Sequence, residues 1–358
     1  MKDKSLLRKR LKRAALLVLL LYAAGRGESL AQNQVAILQH GEETTAFYGA
    51  DAFKQAHTAA VDGDIITLSG LSFNVPSEVT KAITLRGAGV AADTVVGTQA
   101  TVLSGVTFNV PYDWDTGLTL SVEGIRFDGN TIIRHLKNPV FTKCNFTSVS
   151  YYSSTSYPGR MYDAQFVDCK IATISFYKFE NTSLLNSVVS HFSNISADYN
   201  VVATNSILRY ESTGSYSSFF DGLSAYNSII IREITGGPYP MPSSTCVFVN
   251  CIGINQPFGS GYTSNCLEYD EEYEYGFLDY EYVFETYDGV NFWFDSFTLT
   301  EEAASFETTD GTQVGIYGGY APYTDKPSYV VRTQVTVPNR SNNEGKLNVE
   351  IEIIDEDE

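Results

Sequence analysis

Four side chains in one region have the types that β-elimination of a polysaccharide requires. His191, Tyr210 and Arg232 each follow a recurring Cys or Ser by four positions, and Arg209 precedes Tyr210. An arginine can act as the base beside a sugar carboxylate, a second cation can neutralise that carboxylate, and a histidine can titrate near neutral pH. The spacing predicts one outward column of His191, Tyr210 and Arg232. The alternative is that these are ordinary solvated side chains, since no calcium-binding carboxylates accompany them.

Hydrolysis of a glycan would instead need two carboxyl groups held about 5–10 Å apart. Asp163 and Asp168 lie close in the sequence, and Asp198 and Asp221 follow in later loops. Asp168 stands where equivalent segments have Asn, which favours a structural role. The stretch 268–282 contains seven carboxylates among five tyrosines and could bind calcium. Because it has no spaced Asp-x-Asp-x-Asp loop, we favour a solvated acidic insertion and predict no cofactor.

Tyrosine is abundant in this chain, which has 24 Tyr, 21 Phe and only 2 Trp. Flat amphipathic rings stack on sugars and also make protein contacts. We predict ligand binding by a set of tyrosines in the loops and at strand ends, namely Tyr151, Tyr152, Tyr157, Tyr210 and Tyr262. The alternative is that tyrosine fills half-buried strand positions, which it also suits.

Most of the candidate site residues lie in a region with a short repeat, and this repeat predicts the fold. Six copies begin at Phe141, Phe166, Leu184, Ala203, Ala225 and Phe248, and their fourth residues are Cys144, Cys169, Ser187, Ser206, Ser228 and Cys251. Successive copies are 25, 18, 19, 22 and 23 residues apart. A drifting period near 20 is typical of a coil of short strands whose loops absorb the variation.

Each position of the repeat has a consistent chemistry. The first and sixth positions are almost always apolar and the fourth is always Cys or Ser, so we expect all three to point inward. The third position is Asn four times and Asp once. Asn tolerates the left-handed backbone conformation of a sharp bend and can hydrogen-bond to its equivalents in stacked coils. The sequence therefore predicts an all-β, single-stranded parallel β-helix.

A second column is apolar although the repeat places it on the outside. One residue past the Cys or Ser position come Val188, Ile207, Ile229 and Ile252 in consecutive copies. Four exposed aliphatic residues in a row are improbable on a free surface. We expect a long loop or the C-terminal segment to cover them, and a surface for another protein is the alternative.

The segments before and after the repeat resemble a known family. An amphipathic stretch at about 49–61 predicts a capping helix, and Asp62-Gly-Asp-Ile-Ile-Thr-Leu68 and Ile83-Thr-Leu-Arg-Gly-Ala-Gly89 follow it. This order resembles the opening of the pectate-lyase-like right-handed parallel β-helix superfamily, and residues 310–319 resemble the closing coil of such proteins. The chain also resembles exported and surface β-helix proteins of gut Bacteroidetes. The resemblance implies a right-handed parallel β-helix over residues 32–319.

The two ends of the chain predict export and a terminal hairpin. Residues 1–31 combine a basic start, a short apolar core and Ser29-Leu-Ala31, the parts of a secretory signal peptide. The apolar core is about half the ~20 residues needed to cross a bilayer, so we predict no transmembrane anchor. Residues 320–358 are predicted to form a linker and a β-hairpin.

Charge and cysteine content limit the partners. Without residues 1–31 the chain has 16 basic and 40 acidic residues, a formal net charge of −24 that disfavours nucleic acid. Five cysteines cannot all pair within one chain. Because a core of this size does not need disulfides, we expect most cysteines to pack in the interior.

Two functions from different classes follow from these observations. The first is a non-catalytic exported protein, secreted, periplasmic or on the cell surface, that binds a polysaccharide or a surface protein through its tyrosines. The second is a polysaccharide lyase or glycoside hydrolase that uses His191, Arg209 and Arg232. The missing catalytic motifs favour the first function.

Overall fold

The computed structural model describes residues 34–92, 98–111, 117–153, 159–193, 198–212, 221–234, 241–255, 257–268, 278–286, 296–326, 332–336 and 350–354. Helices are few and short in these ranges: α1 (Ala52–Ala59), α2 (Tyr280–Val283) and α3 (Glu301–Ala304). The predicted signal peptide lies outside the described residues and stays a prediction.

Short strands account for most of the regular structure. The first fourteen are β1 (Val35–His40), β2 (Glu43–Tyr48), β3 (Ile65–Leu68), β4 (Leu71–Phe73), β5 (Thr84–Arg86), β6 (Thr101–Ser104), β7 (Thr107–Asn109), β8 (Ser121–Glu123), β9 (Arg126–Lys137), β10 (Val140–Thr142), β11 (Asn145–Tyr151), β12 (Arg160–Tyr162), β13 (Gln165–Val167) and β14 (Lys170–Ile171). The others are β15 (Ile174–Ser175), β16 (Phe179–Glu180), β17 (Thr182–Leu185), β18 (Val188–Val189), β19 (Phe192–Ser193), β20 (Val201–Thr204), β21 (Ile207–Ser212), β22 (Leu223–Tyr226), β23 (Ile229–Ile234), β24 (Val247–Val249), β25 (Ile252–Ile254), β26 (Tyr262–Ser264), β27 (Arg332–Thr336) and β28 (Glu350–Ile354).

The strands stack into a parallel β-solenoid of about seven turns. The first sheet runs in the order β2, β1, β3, β5, β8, β10, β13, β17, β20, β22, β24, β26, and every pairing from β3 onward is parallel. The second sheet has a main path of β16, β12, β9, β11, β14, β18, β21, β23, β25, with β4, β6, β7, β15 and β19 attached to it. The predicted parallel β-helix is therefore confirmed, while its right hand stays a prediction.

Each coil turns from the first sheet to the second at the third position of the repeat. The residues at this first bend have a positive φ, as the sequence predicted: Lys143, Asp168, Asn186, Asn205, Asn227, Asn250 and Asn265. Asn250 Nδ2 donates to Asn227 Oδ1 over 2.9 Å, and Asn265 Nδ2 donates to Asn250 Oδ1 over 2.7 Å. The predicted asparagine stack is confirmed here, and Asn265 adds a copy that the repeat had not included.

The Cys and Ser column lies in the interior directly after these bends. The hydroxyl of Ser187 accepts the backbone N–H of Cys169 over 3.1 Å and donates to the Leu185 carbonyl over 2.9 Å. The backbone N–H of Ser187 in turn donates to the Ser206 hydroxyl. Cys144, Cys169 and Cys251 have no exposed surface, so the predicted packing role of these cysteines is confirmed.

A covering segment, residues 278–286 and 296–323, packs on the outer side of the second sheet. It contributes Leu278, Val283, Phe284, Phe297, Leu299, Ala303, Val314 and Ile316 to an apolar cluster with Val188, Ile207, Ile229, Ile231, Ile252 and Ile254. All six of these solenoid residues are fully buried. The expectation that another part of the chain covers the aliphatic column is confirmed.

Residues 307–321 of the covering segment run across successive first bends. Five bend asparagines each donate a side-chain N–H to this segment: Asn265 to the Glu307 carbonyl, Asn250 to Thr309 Oγ1, Asn227 to Asp310 Oδ2, Asn205 to the Gln313 carbonyl and Asn186 to the Ala321 carbonyl. The prediction that residues 310–319 form a closing coil is wrong, because they lie along the solenoid and contain no strand. The contact with Ala321 also extends the packing into the predicted linker.

The remaining elements lie at the two ends of the described chain. α1 falls within the predicted 49–61 and contacts β1, β2 and β3. Its buried His57 accepts the Thr80 N–H, and burial lowers the pKa of that imidazole to about 4. β27 and β28 pair antiparallel within the predicted hairpin segments. The role of this hairpin as a cover for the last coil stays a prediction.

Candidate functional site

A second bend returns each coil to the first sheet and positions the candidate site. It lies five residues before the first bend, and its positive-φ residues are Asn138, Asp163, Asn181, Asn200 and Gly222. Asn181 Nδ2 donates to Asp163 Oδ1 over 3.0 Å, and Asn200 Nδ2 donates to Asn181 Oδ1 over 3.3 Å. The residues just before these bends are Lys137, Tyr162, Glu180 and Tyr199, so their side chains come from the same position of four successive coils.

A row of aromatic rings lies beside this second bend. The ring centroids of Tyr151 and Tyr177 are 4.8 Å apart, and those of Tyr177 and Tyr199 are 5.9 Å apart. The three residues belong to three successive coils, whose strands lie about 4.8 Å apart. Tyr177 is exposed, and Tyr151 and Tyr199 are half-buried. Coil stacking thus builds a partly exposed row of rings from residues far apart in the sequence.

Cationic side chains flank this row. The Arg134 guanidinium lies 3.9 Å from the ring centroid of Tyr152, and Lys178 Nζ lies 5.1 Å from that of Tyr177. Arg160 Nη1 donates to the Tyr162 hydroxyl over 3.1 Å. We call this set the tyrosine surface: Tyr151, Tyr152, Tyr162, Tyr177, Tyr199, Arg134, Arg160 and Lys178. It concentrates rings and cations on a chain whose formal net charge is −18.

Acidic and imidazole groups at the margin modify the charge of this surface. Arg134 forms a 2.8 Å ion pair with Glu78, whereas Arg160 is 3.9 Å from Glu180. Burial lowers the pKa of His135, and the nearby Arg160 charge lowers it further. At neutral pH, His135 is therefore expected to be uncharged and to offer hydrogen bonds rather than a positive charge.

Tyr210 and Arg232 do not share an outward column with His191. Tyr210 is 1% exposed and Arg232 is 5% exposed, and the two are paired in register on β21 and β23. The Tyr210 hydroxyl donates to the Pro257 carbonyl over 2.9 Å, and burial raises its pKa well above the usual range. The predicted outward orientation of Tyr210 and Arg232 is wrong, and Tyr210 does not join the tyrosine surface.

The error comes from a difference of one residue between the coil of Ser187 and the coil of Ser206, since the coils of Cys144, Cys169 and Ser187 share the longer spacing. In that coil β18 and β19 are separated by Ser190-His191, whereas β21 continues without interruption in the next coil. Phe192, five positions past Ser187, therefore packs against Tyr210, four positions past Ser206, with ring centroids 5.8 Å apart. Counting four residues past the Cys or Ser position in every coil misses such a local irregularity.

Arg209 is only partly accessible beside the covering segment. Arg209 Nη1 is 3.5 Å from Glu233 Oε1, and Arg209 Nε donates to the Ser190 carbonyl over 3.1 Å. The Tyr280 hydroxyl of the covering segment donates to the same Glu233 oxygen. Arg209 therefore lies close to the backbone next to His191, in an ion pair with Glu233 that the sequence did not predict.

The predicted tyrosines are distributed over separate places. Tyr151 and Tyr152 belong to the tyrosine surface, whereas Tyr262 is exposed on β26 at the far end of the first sheet. Tyr157 lies outside the described residues. The sequence did not single out Tyr177, Tyr199, Arg134, Arg160 or Lys178 as site residues. A count of five residues back from each first bend would have located the second bends, and with them the segments that carry these residues.

The predicted hydrolase carboxylates Asp163 and Asp168 both lie at bends. Asp163 belongs to the second bend and accepts a hydrogen bond from Asn181. Asp168 belongs to the first bend and is 8% exposed, with its Oδ1 buried and without a hydrogen bond. Burial raises the pKa of Asp168 to about 6, although the Lys143 charge and the Asn186 amide oppose the change. These positions indicate structural roles.

Asp168→Asn is expected to stabilise the protein by about 1–3 kcal/mol at pH 8, because it removes a buried carboxylate charge. The carboxyl ordinarily titrates at 3.8 and in the folded protein at about 6. The folded state therefore binds this proton more tightly, so the cost of Asp168 grows as the pH rises from about 3.8 and is complete above about 6. Below pH 4 the charge-related gain should vanish. Urea unfolding at both pH values measures this difference.

Asp163→Asn is the matched control, since it makes the same change at the same backbone conformation on a half-buried side chain that has a hydrogen-bond donor. We expect a smaller gain there. An equal gain from Asp168→Asn at pH 4 and pH 8 would contradict the burial argument.

Two features are not found in the part of the chain that the structure describes, a cluster of metal-ligating side chains and a membrane-spanning helix. Among the residues that the structure describes, no three His, Cys, Asp or Glu side chains come together in a way that could hold a metal ion. Most of the acidic stretch 268–282 lies outside those residues. No helix in the described ranges has the length and apolar composition needed to span a membrane.

Comparison with protein-family models, curated proteins and solved structures finds no match to this chain. Strand pairing establishes the fold, and the surface of this protein is the basis for its proposed function.

Proposed function

We propose that this protein is an exported, non-catalytic recognition protein that binds an extended glycan chain along the tyrosine surface. The row of Tyr151, Tyr177 and Tyr199 across three successive coils carries this proposal. Sugar rings present apolar faces and hydroxyl edges, which aromatic rings and nearby hydrogen-bond donors can contact together. A surface that repeats once per coil suits a ligand that is itself a chain of repeating units.

The cations on the tyrosine surface support the proposal that the ligand binds there. Arg134 and Lys178 lie against tyrosine rings, so the same side chains can contact a hydroxyl or a carboxylate at the ring edges. The chain as a whole has a net charge of −18 and would repel an anionic ligand elsewhere. Export is inferred from the signal-like residues 1–31 and would place the protein where glycans are available.

Tyr177→Ala is expected to weaken glycan binding roughly tenfold, because it removes the central ring of the row. Tyr226→Ala is the matched control, since Tyr226 is 38% exposed and Tyr177 is 37% exposed, but Tyr226 lies on the first sheet. Calorimetric titration with a panel of acidic and neutral polysaccharides measures both variants. Equal affinities of the two variants would place the ligand elsewhere.

The same mixtures test the enzymatic alternative. New reducing ends or unsaturated products after incubation with the wild-type protein would show cleavage and overturn the proposal of a non-catalytic protein. Binding without either product supports recognition. Absence of binding across the whole panel would contradict the glycan proposal.

A further inference from the structure

The inward column that follows the first bends has an unusual order of residues. From coil to coil it reads Cys144, Cys169, Ser187, Ser206, Ser228, Cys251 and Cys266. The four cysteines thus occur as two pairs in neighbouring coils, one on each side of three serines. Serine fills this position with its own hydrogen bonds, so a small buried side chain alone does not require cysteine in adjacent coils.

The strand register places the two members of each pair directly over one another. Thr142 pairs with Val167 before the first pair, and Asn145 pairs with Lys170 after it. Val249 pairs with Ser264 before the second pair, and Ile252 forms a bridge with Leu267 after it. Equivalent residues of neighbouring parallel strands lie about 4.8 Å apart, within the ~4.4–6.8 Å between Cα atoms that a disulfide allows.

A disulfide would replace only weak hydrogen bonds of the thiols. Cys169 Sγ lies 3.4 Å from the Phe141 carbonyl oxygen, and Cys266 Sγ lies 3.3 Å from that of Phe248. Thiols are weak donors, so these hydrogen bonds are weak. Burial raises the pKa of Cys169, and the thiol of Cys144 next to it raises it further.

We infer that Cys144 bonds to Cys169, and Cys251 to Cys266, when the chain folds in an oxidising medium. Each bond covalently joins two consecutive coils near one end of the serine run. In each step two S–H bonds break and one S–S bond forms. The two electrons and two protons pass to a disulfide oxidant such as oxidised glutathione, which becomes two thiols.

Burial determines when this reaction occurs. Cys144, Cys169 and Cys251 have no exposed surface in the folded protein, so an oxidant reaches them before the coils close or when an end coil opens. Cys246 lies outside the column and is expected to stay a thiol. Five cysteines then divide into two bonds and one thiol, which accounts for the odd number. This inference does not depend on the proposed glycan function.

Refolding of the full chain in a glutathione redox buffer tests the assignment. Thiol titration in denaturant is expected to give one thiol per chain, against five when the chain is kept reduced. Peptide mapping by mass spectrometry should show the links 144–169 and 251–266. Five thiols after oxidative refolding, or any other linkage, would overturn the inference.

Serine variants separate pairing from folding defects, since serine occupies this position in three coils. Cys169→Ser should leave the second disulfide intact and expose Cys144 as an additional thiol, giving two per chain. Cys246→Ser should retain both links and leave no thiol. If Cys246→Ser instead abolishes a link, Cys246 takes part in the pairing and the assignment is wrong.

Discussion

Ile229→Ala is expected to lower the free energy of unfolding by about 2–5 kcal/mol, the usual cost of truncating a fully buried aliphatic side chain. Ile229 lies on the outer side of the second sheet, yet it has no exposed surface. It packs in the apolar cluster between that sheet and the covering segment. A Cβ added at Gly315 of this segment would lie 3.0 Å from Ile229 Cδ1, which shows how closely the two surfaces approach. Truncation therefore leaves a cavity between the sheet and the covering segment.

Leu185→Ala is the matched control for this prediction. Leu185 also points outward from a solenoid strand, but on the first sheet, where it is 37% exposed. We expect a loss of less than about 1 kcal/mol there. Urea unfolding of both variants measures the difference. Similar losses for the two would mean that the covering segment does not bury Ile229 in solution, and rapid amide exchange in residues 296–323 would then be expected.

Asn227→Ala is expected to cost about 2–4 kcal/mol, because this one side chain supports both the bend and the covering segment. Asn227 has a φ of 49°, which alanine adopts only with strain. Its Nδ2 donates to Asp310 Oδ2 over 2.8 Å, and its Oδ1 accepts from Asn250. The hydrogen bond from Asn227 is the largest cause that holds the pKa of Asp310 well below its usual range. Loss of the amide should therefore loosen residues 307–321.

Two further variants separate the causes. Asn227→Gly retains the left-handed bend without strain, so its remaining cost reports the side-chain hydrogen bonds. Asn200→Ala removes an asparagine with a φ of 45° from the second bend, where the side chain is exposed. We expect about 1 kcal/mol for Asn200→Ala. Amide hydrogen exchange of residues 307–321 should accelerate only in the Asn227 variants. An equal cost for Asn200→Ala and Asn227→Ala would contradict a stabilising contact with the covering segment.

Local chemistry made the coil predictable from the sequence. Asn186, Asn205, Asn227 and Asn250 recur at the third position of the repeat, and all four adopt the left-handed bend. Their conformation depends on the residue itself and its immediate neighbours, which the sequence contains directly. The inward Cys and Ser column follows for the same reason, since its position relative to the bend is constant. The buried state of Ile229 was also predictable, because a column of four aliphatic residues is improbable on a surface that faces water.

The tertiary structure alone decided which side chains meet. Phe192 lies five positions past Ser187 whereas Tyr210 lies four past Ser206, so His191 and Arg232 do not lie in one column. Loop lengths are irregular, and the tyrosine surface combines residues from coils whose loops differ in length. The covering segment contacts the bends through pairs up to 135 residues apart, such as Asn186 and Ala321. The sequence by itself determined the bend, the inward column and the need to bury the outer aliphatic column, because each depends on residue types at fixed positions of a coil. The way in which irregular loops connect the coils decides which segment covers the sheet and which rings share a face.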